Sequence, residues 1–303
     1  MQKKDFAQPC IETIPRCNDT ELRNSLSRLL AERIEEKCER LTKLYNSCGK
    51  RWNDALFKLL ARSFGFGIQG NAFEEWASLL NMQALGKHND NIDQIEAIFF
   101  GQAGLLSEES IPQYYKNDAL AGEYYNRLLR EYKFLKSKFE LQEMDYNKWN
   151  GNATPHIRIA RMATLLQRGC VSIDRIAECN TITELHKLFQ AYPSYYWQHH
   201  TQFGGTATVG TGDLKNKQLD VLIINTVIPM LYCYGKHRLN AGLCTKAEDY
   251  LHEINSEDNS IIRRWAERGV CASSAADSQA LIQLNNAYCT KHRCTECPLA
   301  NIG

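Results

Sequence analysis

The sequence has no large excess of charge of either sign. Its 303 residues include 36 lysines and arginines against 35 aspartates and glutamates, and residues 1–150 alone contain 21 basic and 22 acidic side chains. A protein that binds nucleic acid or a membrane over a broad surface usually has one strongly charged half. The composition therefore excludes a broad electrostatic surface, and we expect any such binding to come from a local patch.

Long apolar runs are absent as well. No stretch of about 18 uninterrupted apolar residues occurs, so no membrane span is expected. The first ten residues, MQKKDFAQPC, lack the apolar core of a signal peptide. We therefore expect a cytoplasmic protein whose 12 cysteines are reduced thiols rather than a disulfide framework.

Helical periodicity is what the sequence does have. Residues 19–48 place apolar side chains at three- and four-residue steps, which predicts one helix of roughly 45 Å. Asn18 and Glu21 have the spacing of a capping box at its start. Similar patterns predict helices at 51–63, 71–86, 90–100, 117–139, 155–168, 181–190, 241–254, 258–268 and 275–288.

One apolar segment allows two interpretations. Residues 219–234 are rich in valine and isoleucine, as in a buried strand. The length of the segment, its helical neighbours and the lack of a partner strand favour a buried helix, kinked near Pro229. The sequence thus predicts an all-α fold. The polar, turn-rich segment 145–154 predicts a seam between an N-terminal helical lobe at 1–148 and a C-terminal lobe at 149–303 that ends in a cysteine-containing tail.

Three arginines are candidates for nucleic-acid contact. Arg158, Arg161 and Arg168 fall on one side of the predicted 155–168 helix. Such a row can contact successive phosphates. The alternative is a solvated face that keeps an amphipathic helix soluble.

Other segments admit a functional and a structural interpretation. His88, Asp90, Asp93 and Glu96 could surround a catalytic metal ion, but acidic residues in a first helical turn also complement the helix dipole. The run from Tyr192 to His200 contains four large aromatic residues and two histidines, which suits base stacking or core packing. The glycine-rich stretch 203–213 lacks the lysine of a phosphate-binding loop, which favours a flexible connection.

The cysteines of the tail form the densest group of metal-capable side chains. Cys289, Cys294 and Cys297 have the spacing C-x4-C-x2-C, and the last pair has the spacing of a metal knuckle. A structural zinc site would need a fourth ligand, from His292 or from a distant residue such as Cys271. Reduced thiols in a packed C-terminal turn are the alternative.

Several segments together resemble an uncharacterised bacterial family, domain of unknown function 2851. They are GFGIQGNAFEEWA (65–77), QIEAIFFGQAGLL (94–106), PHIRIARMATL (155–165), LDVLIINTVIPMLYCYG (219–235), DSQALIQL (277–284) and the CTKHRCTEC tail. The resemblance implies that longer members have an upstream α/β region whose carboxylates are similar to those of restriction-endonuclease-like nucleases. From the same resemblance we expect this chain to correspond to the helical part that follows that region.

The functional expectation follows from the resemblance and the balanced charge. We expect a non-catalytic helical module, accessory to a nuclease-like protein, that contacts nucleic acid or a protein partner through a local patch. Two alternatives remain open at this point. One is a stand-alone metal-dependent enzyme that uses the His88 group or the cysteine tail, and the other is a protein-interaction scaffold that exposes its aromatic run.

Overall fold

The computed structural model describes residues 18–149, 154–207 and 214–300. Helices dominate these ranges, and the sheet found within them is a two-stranded hairpin, so the predicted all-α fold is confirmed. In chain order the α-helices are α1 (Asp19–Ser47), α2 (Trp52–Phe64), α3 (Gly70–Leu79), α4 (Met82–Gly86), α5 (Ile92–Gln102), α6 (Lys116–Ala121), α7 (Glu123–Phe139), α8 (His156–Gln167), α9 (Ile173–Glu178), α10 (Ile182–Phe189), α11 (Tyr195–His199), α12 (Asn216–Leu222), α13 (Ile228–His237), α14 (Ala241–Glu253), α15 (Ser260–Ala266) and α16 (Ala275–Gln283). The strands are β1 (His200–Gln202) and β2 (Gly205–Thr206), and π-helical turns occupy Ile223–Val227 and Leu284–Cys289.

The chain divides into two compact units. We name them the terminal unit, residues 1–47 with 227–303, and the middle unit, residues 48–226. This division differs from the predicted boundary between 148 and 149, because α1 packs against helices from the end of the chain, α13 and α16. Sequence periodicity identified the longer helices but contained no information on which distant helix covers α1.

The terminal unit is organised around α1. Its buried stripe consists of the apolar residues that the periodicity predicted, among them Leu29, Ile34 and Leu41. The predicted capping box is confirmed: the Glu21 N–H donates to Asn18 Oδ1 at 2.9 Å, and the Asn18 N–H donates to Glu21 Oε2 at 3.2 Å. A cap of this kind satisfies two of the backbone groups that a helix start leaves open.

The middle unit has a core of aromatic side chains. Trp76 on α3 contacts Phe57, Phe73 and Phe99 at centroid distances of 5.0–6.2 Å, and its indole N–H donates to the Phe99 carbonyl at 3.0 Å. Helix α5 packs against both α7 and α8. These contacts fix α5, so its polar residues hold a defined position in the unit.

The ambiguous apolar segment is helical, as predicted. Helix α12, the π-helical turn and α13 follow one another without a break from Asn216 to His237. Pro229 has no N–H to donate to the carbonyl four residues earlier, which accounts for the wider turn just before it. By length and composition this stretch could cross a membrane, but 72% of its apolar window is buried inside the protein, as in a core helix.

Some short elements were not predicted. Helices α9 and α11 have six and five residues, too few for a periodic pattern. The β1–β2 hairpin pairs His200 with Thr206 and Gln202 with Gly205. Together α11 and β1 position the residues that line the cavity described next.

Candidate functional site

A cavity of about 540 Å³ lies within the middle unit, next to α5, α7 and α11. We name it the aromatic pocket. Its walls contain three tyrosines, two histidines, three charged residues, a serine and an isoleucine. The lining residues are Ile92, Asp93, Glu123, Tyr124, Arg127, Ser194, Tyr195, Tyr196, His199 and His200.

One wall of the pocket is a stack of three rings. Tyr196 lies between Tyr124 and His200. Its ring centroid is 4.2 Å from that of Tyr124, with an angle of 14° between the ring planes, and 3.8 Å from that of His200, with an angle of 4°. The N–H of Gly204 donates to the Tyr196 hydroxyl at 3.1 Å. The stack is therefore held in place by the hairpin. Beside it Tyr195 is 80% exposed and contacts His199 at a centroid distance of 5.1 Å.

A chain of hydrogen bonds connects the pocket to a buried carboxyl group. Trp197 Nε1 donates to the Tyr124 hydroxyl at 2.9 Å, and that hydroxyl donates to Glu96 Oε2. Glu96 has no exposed surface. Burial raises the pKa of Glu96 to about 7, against the opposing effect of the hydrogen bond from Tyr124. The carboxyl is therefore part protonated at neutral pH.

Ser194 lies beside the buried carboxyl. Glu96 Oε1 and Ser194 Oγ are both buried, and the Ser194 hydroxyl lies close enough to hydrogen-bond to Glu96, whose ionised form it favours, and to Tyr124. Because Ser194 also lines the pocket, it connects the pocket surface with the buried carboxyl.

Closely packed rings support the pocket from behind. Trp197 contacts Phe100, Phe203 and His156 at centroid distances of 4.8, 5.1 and 5.5 Å. Burial lowers the pKa of His156 to about 3, so its imidazole is neutral at physiological pH. These rings pack as closely as side chains in a protein core. Tyr124 and Ser194 therefore have little freedom to move.

Helix α7 extends from the pocket as a local basic surface. It has five basic and two acidic side chains. We name as the α7 stripe its exposed residues Arg127, Arg130, Phe134 and Lys138, which lie on one face of the helix. Arg127 pairs with Asp93 at 3.0 Å and lines the pocket, whereas Arg130 and Lys138 form no ion pair within the described part of the chain. Phe134 is 62% exposed.

The three predicted arginines do not form one exposed row. Arg158 donates to the carbonyls of Phe64 and Gly65 at 3.2 and 3.4 Å and lies 5.1 Å above the Phe73 ring. Arg161 is only 9% exposed. Arg168 is exposed, and its guanidinium donates to the Gln190 carbonyl. Two of the three arginines therefore hold the middle unit together from inside.

The structure does not bring the His88 group together. His88 Nδ1 shares a 2.6 Å hydrogen bond with Gln94, Asp93 pairs with Arg127, and Glu96 is buried against Tyr124. Over residues 18–149, 154–207 and 214–300, no group of three histidine, cysteine or acidic side chains is arranged to hold a metal ion.

The cysteine tail forms a hydrogen-bonded turn in the terminal unit. The N–H groups of Thr290 and Arg293 donate to the carbonyls of Asn285 and Tyr288 at 2.9 and 3.0 Å. Cys297 is buried, and Cys294 and Cys289 are partly exposed. Burial, with the nearby Cys297 and Cys294, raises the pKa of Cys289 to about 11. Cys289 is therefore a neutral thiol under physiological conditions.

Sequence reasoning found only part of this site. The run from Tyr192 to His200 was singled out, and its members divide between core and surface: Trp197 is buried, whereas Tyr195 is exposed. The roles of Tyr124, Ser194 and Arg127 were missed. A charge count over residues 123–139, instead of over half the chain, would have found the α7 stripe. The glycine-rich stretch 203–213 lies partly outside the described residues, which end at 207 there.

Comparison with known proteins identifies the family but no function. No curated protein and no solved structure matches the chain. A family model described as Protein of unknown function (DUF2851) matches residues 1–260. Since this match covers most of the 303 residues, the chain belongs to the DUF2851 family of proteins of unknown function.

Proposed function

We propose that the chain is a non-catalytic binding module whose middle unit contacts single-stranded nucleic acid. In this proposal it acts as the accessory part of a nuclease-like protein, as the family resemblance implies. The observation that supports it best is the continuity of two features at Arg127, which belongs both to the aromatic pocket and to the α7 stripe. Proteins that bind single strands combine rings for base stacking with a positive track for the backbone.

The aromatic pocket suits an unpaired base. Tyr195 exposes most of its ring beside His199, and the stacked Tyr124, Tyr196 and His200 form a rigid wall. A base that stacks on the exposed Tyr195 ring does so beside a wall that is already in position, which reduces the entropy lost on binding. Each such stacking contact contributes about 1–3 kcal/mol and accepts any base.

The α7 stripe suits the phosphate backbone. It spans roughly 16 Å, given a rise of about 1.5 Å per residue from Arg127 to Lys138. Arg130 and Lys138 attract phosphates, Arg127 adds a cation that is shared with Asp93, and Phe134 offers an exposed ring among them. The patch is small, which agrees with the balanced charge of the whole chain. We therefore expect weak binding that depends strongly on salt.

Fluorescence anisotropy with labelled single-stranded oligonucleotides at low salt tests the stacking contact. We expect Tyr195→Ala to weaken binding roughly tenfold, because one stacking contact is lost. The matched control is Tyr114→Ala, since Tyr114 is 75% exposed in the same unit but does not line the pocket. Equal binding by both variants, or no binding by the wild-type protein, would refute the proposal.

The metal-dependent enzyme gains no support from the described residues, because the His88 group is dispersed and no metal-holding arrangement occurs among them. The scaffold alternative makes a different prediction in the same experiment. If Tyr195 contacts a protein partner instead, Tyr195→Ala should leave oligonucleotide binding unchanged. The first titration therefore distinguishes the two proposals.

A further inference from the structure

In the terminal unit, two cationic side chains share one uncharged acceptor. Arg33 Nε and Lys37 Nζ, one turn apart on α1, donate to Gln279 Oε1 on α16 at 3.2 and 2.7 Å. Gln279 is 2% exposed, and its amide nitrogen donates to the Glu257 carboxylate. Because only the amide oxygen can accept from a cation, this orientation of the amide is fixed. The lysine amine is therefore held close to a second positive charge.

Lys37 also has a cation on its other side. Residues 33, 37 and 40 lie on one face of α1, since they are four and three positions apart. Arg40 is exposed, whereas Lys37 is partly exposed, so a small molecule in solution can reach the amine. Burial and then Arg33 lower the pKa of Lys37 to about 7, against the opposing effect of Glu257. A large share of the amine is therefore unprotonated at neutral pH.

A desolvated lysine beside another cation has the environment of an activated nucleophile. Its lone pair can attack a carbonyl carbon, which a protonated amine cannot do. The exposed guanidinium of Arg40 attracts anions to the same face of the helix, and guanidinium groups bind phosphate well. An acyl phosphate combines an electrophilic carbonyl carbon with an anionic phosphate leaving group. It therefore matches both the amine and the arginine.

We propose that Lys37 is an acylation site, at which the amine takes the acyl group of an acyl phosphate that Arg40 attracts. The Nζ lone pair forms a bond to the carbonyl carbon, and the bond from that carbon to the phosphate oxygen breaks. Phosphate leaves with the electron pair and takes up one proton from Nζ. The product amide retains one N–H, which can still donate to Gln279. The site lies in the terminal unit and does not depend on nucleic-acid binding by the middle unit.

The test incubates the native protein with acetyl phosphate at about pH 7 and follows acetylation of individual lysines by mass spectrometry. Lys43 is the matched control, because it is an exposed lysine on the same helix. At this pH an ordinary lysine has about one neutral amine in 2,500, against about half for Lys37. A less basic, partly buried amine reacts more slowly once it is neutral, so we expect Lys37 to react roughly tenfold faster than Lys43. In urea this advantage should disappear.

Variants of the two arginines and an uncharged reagent test how the site works. Arg40→Gln should slow acetylation of Lys37 by acetyl phosphate several-fold, and should affect its reaction with the N-hydroxysuccinimide ester of acetic acid much less. Arg33→Met should slow the reaction of Lys37 with both reagents and leave that of Lys43 unchanged. Thermal denaturation establishes that each variant is folded.

Two results would overturn the proposal. If Lys37 and Lys43 of the native wild-type protein react at equal rates, the amine is not activated. If Arg40→Gln slows both reagents equally, Arg40 does not attract the phosphate and an acyl phosphate is not the preferred donor.

Discussion

Tyr124 donates its hydroxyl hydrogen bond to the buried carboxyl of Glu96, while its ring forms part of the wall of the aromatic pocket. The two residues are 28 positions apart, on α7 and α5. The same tyrosine therefore holds a titratable group below the surface and stacks on Tyr196 in the pocket wall. This relationship connects the stability of the middle unit with the chemistry of its pocket.

The first prediction concerns stability and pH. The pKa of Glu96 rises on folding from its ordinary value of 4.5 to about 7, so the folded state binds more protons between these values. The free energy of unfolding should therefore fall by roughly 3 kcal/mol in total as the pH rises from about 4.5 to about 7, and it should then remain low. In Glu96→Gln most of this pH-dependent fall should be absent when the free energy of unfolding is measured by urea denaturation.

The control for that measurement is Glu123→Gln, which changes an exposed carboxylate of the same pocket. It should leave the pH dependence of the free energy of unfolding as in the wild-type protein. An equal response of the two variants would show that Glu96 is not the group responsible.

The second prediction concerns the arginines of α8. Arg158 is half-buried, donates to two backbone carbonyls and lies over the Phe73 ring. Arg158→Ala removes these hydrogen bonds and the contact with the ring, and we expect the free energy of unfolding in urea denaturation to fall by about 2–4 kcal/mol. Arg168→Ala, at an exposed position, should cost about 1 kcal/mol or less. A larger loss for Arg168→Ala would contradict the structural role assigned to Arg158.

The third prediction concerns the close approach of α5 and α7. A Cβ atom on Gly101 would overlap the Tyr132 ring, and both residues are in the core. We expect Gly101→Ala to destabilise the protein by about 1–3 kcal/mol, since the helices must separate or the ring must move. Gly86→Ala is the matched control, because nothing lies within 4 Å of the added methyl. Similar melting temperatures for the two variants would show that α5 and α7 do not approach this closely.

The fourth prediction concerns the cysteine tail. Its turn is closed by backbone hydrogen bonds, and among the described residues no three histidine, cysteine or acidic side chains are arranged to hold a metal ion. We therefore expect elemental analysis of anaerobically purified protein to find less than about half an equivalent of zinc, with no effect of chelators on the melting temperature. One equivalent of zinc that disappears in Cys294→Ser would instead establish a structural zinc site.

Local features of the fold were predictable from the sequence. The Asn18–Glu21 capping box, the apolar stripe of α1 and the helical state of the segment that contains Pro229 depend on residues a few positions apart, so their spacing is visible in the chain. The partner of α1 was not predictable, because it is set by contacts with helices about two hundred residues away. The predicted lobe boundary differs from the observed units for this reason.

The candidate site was only partly predictable for a similar reason. Its residues come from α5, from α7 and from the segment Ser194–His200 around α11, and only this last segment is continuous in the sequence. The arginines of α8 have the spacing of a helix face, but spacing does not indicate whether that face meets solvent or protein. Arg158 and Arg161 are turned into the protein, whereas the basic residues of α7 are exposed. The difference between the α8 arginines and the basic residues of α7 therefore lies in their burial, which residue spacing does not reveal.

The salt dependence of oligonucleotide affinity tests the central claim most directly. Arg130→Glu with Lys138→Glu removes two cations of the α7 stripe, and Lys187→Glu with Lys217→Glu changes two exposed lysines elsewhere in the middle unit. For a single strand, loss of two phosphate contacts should reduce the slope of log affinity against log salt by roughly 1.4. We predict that reduction for the α7 pair and a wild-type slope for the control pair. Equal slopes for all three proteins, or no binding at low salt, would contradict the proposed nucleic-acid contact.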